Sequence, residues 1–275
     1  MIRGFLPLLA GLLIAAILVC NSSTVAAAIF KDVPEGHWTY DVIEEFKDAR
    51  IIEGYRDHRP YVISRYEAAM ISAHIIEKFE NTEIKAMVGP AHKLLGIALV
   101  LEFEPELREM YKPTSDSEDT RSWLEFGEAC AKLVQEAVFD LRVSAGVPRP
   151  GEKPTEIRGK GKGMFRDVPY YNWSYKAIDE LRAYGLVEGY PDGLFRGRNV
   201  FTRYEMAMVV ARAARRIEQM QITGEIDLKT KTLMLALMAE YEAELREMGV
   251  SLFQVDREPA WILFAVADLK GHFQA

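Results

Sequence analysis

The stretch "FRDVPYYNWSYKAIDELRAYGLVEGYPD" (165–192) has a near copy earlier in the chain, "FKDVPEGHWTYDVIEEFKDARIIEGYRD" (30–57). Phe, Asp-Val-Pro, Trp, Tyr, Ile, Glu and Glu-Gly-Tyr-x-Asp recur in one register, with Phe165 answering Phe30 and Trp173 answering Trp38. Repetition in a fixed register means that one structural unit is used twice. In each copy the apolar residues fall on one helical face: Tyr40, Ile43 and Phe46 in the first, Tyr175, Ile178 and Leu181 in the second. Thr39 and Ser174 are the expected N-caps of these helices. Asp32 and Asp167 are expected to cap or form turns. Gly54 and Gly189 follow the helix ends, where unusual dihedrals are needed.

A second helix follows in each copy, "VISRYEAAMISAHIIEK" (62–78) and "VFTRYEMAMVVARAARR" (200–216). Ser64 with Glu67, and Thr202 with Glu205, have the spacing of a capping box, in which hydroxyl and carboxylate satisfy each other's backbone amides. Capping leaves Arg65 and Arg203 unexplained, because a cation at a helix N-terminus is mildly unfavourable. Their partner is either a local carboxylate, Asp57 or Asp192, or an anionic ligand held in two-pronged fashion. Trp38 and Trp173 either pack at the helix start or offer a face to a sugar, and Tyr55 and Tyr190 either pack or line a groove.

Beyond this helix, "LGIALVLEFEPELREM" (95–110) aligns with "LMLALMAEYEAELREM" (233–248), so that Leu233 answers Leu95 and Met248 answers Met110. The duplicated unit is therefore a motif plus following helices. Helices are expected over 83–103, with Pro90 breaking or starting one, over 116–143, and as one long element over 216–248. "GVPRPGEKPTEIRGKGKG" (146–163) reads as an exposed linker. The tail 258–275 is too short and interrupted to span a membrane. "LALMAEYEAELREM" is apolar enough for a helix–helix contact, but too short to assert a coiled coil.

Residues 1–28 read as an export signal: Arg3, the apolar run "FLPLLAGLLIAAILV" (5–19), and small residues before a cut after Ala28. The alternative is an uncleaved N-terminal anchor. Cys20 would leave with the signal, so Cys130 is the sole mature cysteine, and its apolar helical setting predicts a buried core residue. A net charge of −7 argues against nucleic acid as the main partner. The five histidines (His37, His58, His74, His92 and His272) are scattered without metal-ligand spacing. There is no nucleophile elbow and no phosphate loop. The expectation is a protein without catalytic residues, cofactor or metal.

Phe165, Asp167, Val168, Trp173, Gly189, Tyr190, Asp192, Gly193, Phe195, Thr202, Arg203 and Glu205 resemble the signature of the S-layer homology (SLH) family. Residues 30–76 resemble it too, with His58 in place of a glycine and a loop three residues shorter. The resemblance implies a small helical module that binds cell-wall polymers, often anionic polysaccharides linked to peptidoglycan. "EFEPELREMY" (102–111) and "EYEAELREMGV" (240–250) also resemble the helix that follows this module in outer-membrane anchor proteins.

The expected fold is all-α. It comprises a signal (1–28), SLH module 1 (29–79), a helical insert (80–145), the linker (146–164), SLH module 2 (165–216) and a C-terminal helical region (217–275). The expected function is non-catalytic binding of anionic cell-wall polysaccharide or peptidoglycan in the cell envelope. Candidate ligand residues are Arg203, Arg65, Trp173, Trp38, Asp192, Asp57, Tyr190 and Tyr55. A homo-oligomer or a helical protein partner is the further association such helices allow. The alternative reading is a scaffold whose duplicated helices bind a protein partner.

Overall fold

A computed structural model describes residues 32–53, 62–85, 87–112, 122–144, 167–168, 172–187, 201–220, 226–250 and 260–273. The described residues are overwhelmingly α-helical. In the first half lie α1 (Trp38–Asp48), α2 (Arg65–Glu80), the short α3 (Thr82–Lys85), α4 (Pro90–Glu102), α5 (Glu104–Met110) and α6 (Trp123–Ser144). In the second half come β1 (Asp167–Val168), α7 (Trp173–Ala183), β2 (Phe201–Thr202), α8 (Arg203–Met220), α9 (Leu228–Glu240), α10 (Glu242–Glu247) and α11 (Ala260–His272). The candidate residues Tyr55, Asp57, Tyr190 and Asp192, and the turn glycines Gly54 and Gly189, lie outside the described residues, as does the signal segment. No described helix is long and apolar enough to cross a membrane.

Both halves close their first helix–loop–helix with the same hydrogen bonds. Asp32 bridges Ser64 in antiparallel fashion, and β1 pairs with β2 through Asp167 with Thr202 and Val168 with Phe201. Each crossing is pinned by a buried tyrosine. The Tyr40 hydroxyl donates to the Val33 carbonyl (2.9 Å) and accepts from the Ile63 amide (3.3 Å). The Tyr175 hydroxyl donates to the Val168 carbonyl (3.1 Å) and accepts from the Phe201 amide (3.0 Å). Tyrosine suits this place because its ring fills the core while its hydroxyl satisfies two backbone groups that burial would otherwise strand.

Three local expectations need correction. The first-helix caps are His37 and Asn172, with Trp38 and Trp173 as first helical residues; Thr39 and Ser174 instead supply the amides that the caps accept. Asn172 Oδ1 takes the Ser174 amide at 3.0 Å, and asparagine is among the best N-caps. Residues 216–248 are not one helix: α8 ends at Met220, Asp227 caps a new helix, and Tyr241 separates α9 from α10. The helix expected from 116 starts at Trp123, and Pro90 starts α4 at its first position, where its missing amide has no bond to lose.

The Asp227 cap titrates. Burial pushes its carboxyl up, but hydrogen bonds from Thr230 and the Tyr184 hydroxyl outweigh that and hold it below the ordinary value. A depressed carboxylate stabilises the fold above about pH 4 and loses that contribution as pH falls through its folded pKa. Asp227→Asn should therefore cost up to ~1 kcal/mol at pH 7, a figure kept small by solvent screening, and less at pH 2.5. Urea unfolding of both proteins at the two pH values checks this.

The halves meet through their counterparts. The most extensive helix contact joins α4 to α9, which begin at matching positions of the repeat, Pro90 and Leu228. The other substantial contacts between halves join α1 to α7 and α6 to α11. Each pairs an element with its own equivalent, as an internal two-fold axis requires. The repeat extends into α6 and α11 in the register of α4 and α9, with Trp123 and Phe126 answered by Trp261 and Phe264. One continuous core runs through both halves, from Phe46 and Phe79 to Tyr241 and Trp261. Cys130 lies inside it.

Close approaches mark the packing. A Cβ on Gly96 of α4 would come within 2.8 Å of the Phe79 ring. In the second half the volumes are exchanged: Met234 stands at the Gly96 position, and Ala213 and Ile217 at those of Ile75 and Phe79, all fully buried. A side chain on Gly127 of α6 would overlap Phe273, which follows α11 and packs 5.0 Å from Trp123 between ring centres.

Candidate functional site

The two arginines that capping leaves unexplained have partners far along the chain. Arg203 Nε donates to Glu244 Oε1 (2.6 Å) and Nη1 to Glu240 Oε1 (2.7 Å). Its Nη2 reaches the Glu240 carbonyl (2.6 Å) and Glu244 Oε2 (3.2 Å). Arg65 repeats the pattern on the first half: Nε to Glu106 Oε1 (2.6 Å), Nη1 to Glu102 Oε1 (3.3 Å), and Nη2 to the Glu102 carbonyl (2.8 Å) and Glu106 Oε2 (3.2 Å). Each guanidinium also lies over an aromatic ring, Arg203 over Tyr241 (4.8 Å) and Arg65 over Phe103 (4.9 Å). A planar fork with five donors fits such a two-carboxylate cradle in a way that a lysine could not.

The break between α9 and α10 makes the cradle. The chain leaves one helix at Glu240 and enters the next at Glu242, so the Glu240 carbonyl and the side chains of Glu240 and Glu244 face the start of α8. The first half does the same at Glu102 and Glu104. Burial works against both ions. It pushes the Glu240 carboxyl up, with Arg203 opposing, and it lowers the Arg203 guanidinium, whose pKa the Glu244 and Glu240 hydrogen bonds then raise. Glu244 is 1% exposed and Glu106 3%, so each needs its arginine.

The capping groups sit beside this cradle. Ser64 and Glu67 exchange both hydrogen bonds of a capping box. The Thr202 amide donates to Glu205 Oε2 (2.9 Å), and the Glu205 amide to Thr202 Oγ1 (3.2 Å). Trp38 and Trp173 are buried, at 4% and 2% exposure, and so present little face to solvent. The structure thus brings Arg203, Thr202, Glu205 and Trp173 to one end of the second half, and Arg65, Ser64, Glu67 and Trp38 to one end of the first.

Sequence reasoning misses Glu102, Glu106, Glu240 and Glu244. The signal for them lies in the register of the repeat. The second half's loop has three more residues than the first's, so everything after it is shifted relative to the first-helix motifs. Arg65 with Arg203 falls in this shifted register, and so do Glu102 with Glu240 and Glu106 with Glu244.

The halves are also joined by charge. Lys229 Nζ lies 3.0 Å from Glu102 Oε2 across the interface and 2.8 Å from Glu180 Oε1. His37 also faces Glu102, at 3.8 Å, and burial lowers its pKa. The equivalent corner of the other half has Ala91 in place of Lys229, with His92 3.5 Å from Glu45. Among the described residues no group of three or more His, Cys, Asp or Glu side chains is placed to hold a metal ion.

The arginine cradles are built on the repeated signature, and comparison with known proteins identifies its second copy. The sequence model of the S-layer homology domain matches residues 165–207. The chain carries an S-layer homology domain there. Relatives include outer membrane protein SlpA of Thermus thermophilus, 33% identical over 118 residues, which are 42% of this chain and 12% of that protein. SlpA of Deinococcus radiodurans is 33% identical over 90 residues (33% of this chain, 8% of that protein). Outer membrane protein alpha of Thermotoga maritima is 43% identical over 61 residues (22% and 15%). The chain thus spans only between 8% and 15% of the length of these curated relatives. No solved structure matches it.

Proposed function

We propose that this is an exported protein of the cell envelope that binds peptidoglycan-linked polysaccharide non-covalently and without catalysis. The match of residues 165–207 to the S-layer homology domain carries the reading, and relatives named as outer membrane proteins support it. The equal hydrogen bonding at Asp32–Ser64 and Asp167–Thr202 favours residues 29–79 as a second copy of the module.

Within this reading the arginines and tryptophans act from beneath the ligand. Each guanidinium nitrogen of Arg203 and Arg65 already donates to a carboxylate or a carbonyl, and each cradle holds two glutamates for one arginine. An acidic sugar would meet net negative charge there. The role that fits is to hold the start of the second helix, so that Tyr190 and Asp192, and Tyr55 and Asp57, form the contacts. The purified chain should cosediment with peptidoglycan sacculi that retain their attached polysaccharide. It should lose most of that retention when the polysaccharide is stripped. Absence of cosedimentation by the intact chain overturns the proposal.

A further inference from the structure

A cavity of about 360 Å³ opens on the second half, away from the arginine cradle. Its floor is Leu186 and Val187, which follow α7, with Val209 of α8. Its rim is Arg212, Arg215 and Arg216, completed by Gln219. The volume lies within the ~300–1,000 Å³ typical of small-ligand sites.

Three features point to an anion. The arginines stand three and four residues apart on α8, so they share one face, where like charges repel one another. No carboxylate is among the described lining residues, and Arg212 and Arg215 have no ion-pair partner among the described residues. The feature also belongs to one half alone. The equivalent positions of α2 hold His74, Glu77 and Lys78, and there His74 faces Glu77 at 3.7 Å. In a chain of net charge −7, a concave basic spot with low-dielectric walls concentrates anions locally.

We infer that this cavity binds an acidic sugar unit of the envelope polysaccharide, bearing a carboxylate or a phosphate. Arg212 and Arg215 grip the acid by bidentate hydrogen bonds, Gln219 takes a hydroxyl, and Leu186, Val187 and Val209 receive the apolar face of the ring. The inference rests on the polysaccharide-binding reading and adds to it the place on the chain where an acidic group is held.

The test is cosedimentation of the intact chain and of Arg212→Gln/Arg215→Gln with sacculi. The double variant should bind about tenfold more weakly or worse, with its thermal unfolding unchanged because both side chains are exposed. Free glucuronate or inorganic phosphate should compete with the intact chain while glucose does not, and the stronger of the two acids identifies the group on the polymer. Lys78→Gln, at the Arg216 position of the other half, should leave retention unchanged. If the double variant is retained as well as the intact chain, or Lys78→Gln weakens it equally, the cavity is not the site and the polysaccharide reading stands. Failure of the intact chain to cosediment overturns both.

Discussion

Arg203→Ala should destabilise the protein by about 3–5 kcal/mol, the cost of stripping the partner from a buried charge. Glu244, 1% exposed, would be left beside Glu240 with no cation, and burial would then force one of them to take up a proton. For a chain of this size the loss corresponds to a fall in Tm of roughly 10 °C. Lysine should not rescue it, because a single ammonium cannot span two carboxylates and a carbonyl. Adding Glu244→Gln to Arg203→Ala should recover part of the loss, since the amide needs no counter-ion. Thermal unfolding of the two single variants, the double variant and Arg203→Lys checks this. If Arg203→Ala unfolds at the parent's temperature, the cradle is not structural and its arginine is available for other work.

The second large effect is expected in α11. Trp261→Ala should cost about 3–5 kcal/mol, the range for emptying a fully buried aromatic site. α11 rests on both α9 and α6, so its loosening removes a packed helix from one half and uncovers α6 of the other at Gly127. Urea unfolding should show the loss in midpoint. Amide exchange should show it spreading into α6, although the substitution lies in the opposite half of the sequence from Trp123. Unchanged protection in α6 would mean that α6 and α11 are energetically separate.

What could be read in advance follows from range. The duplication, the all-α class, the faces of α1 and α7 and the serine or threonine at the start of α2 and α8 are local patterns, visible within a few residues. The first-helix caps escape a local reading because Thr39 and Ser174 are themselves good caps, and only geometry shows that His37 and Asn172 precede them. The partners of Arg65 lie 37 and 41 residues downstream, and those of Arg203 stand equally far along, beyond any local pattern; a nearby aspartate or an anionic ligand looks the more natural choice. The break after Glu240 is invisible for a related reason. "AEYEAEL" is good helix sequence throughout, and the interruption at Tyr241 serves a tertiary contact that propensity does not encode.

The pairing of each helix with its own equivalent bears on how the chain associates. A heterologous repeat array leaves one face of its last unit open and can lengthen indefinitely. Here α4 and α9 face each other, so the duplicated surface is consumed inside a single molecule and the set of two is closed. A chain carrying a third such unit would find no vacancy on this pair. Two separate chains could satisfy the same surface only by exchanging halves, each first half taking the other's second half as its mate.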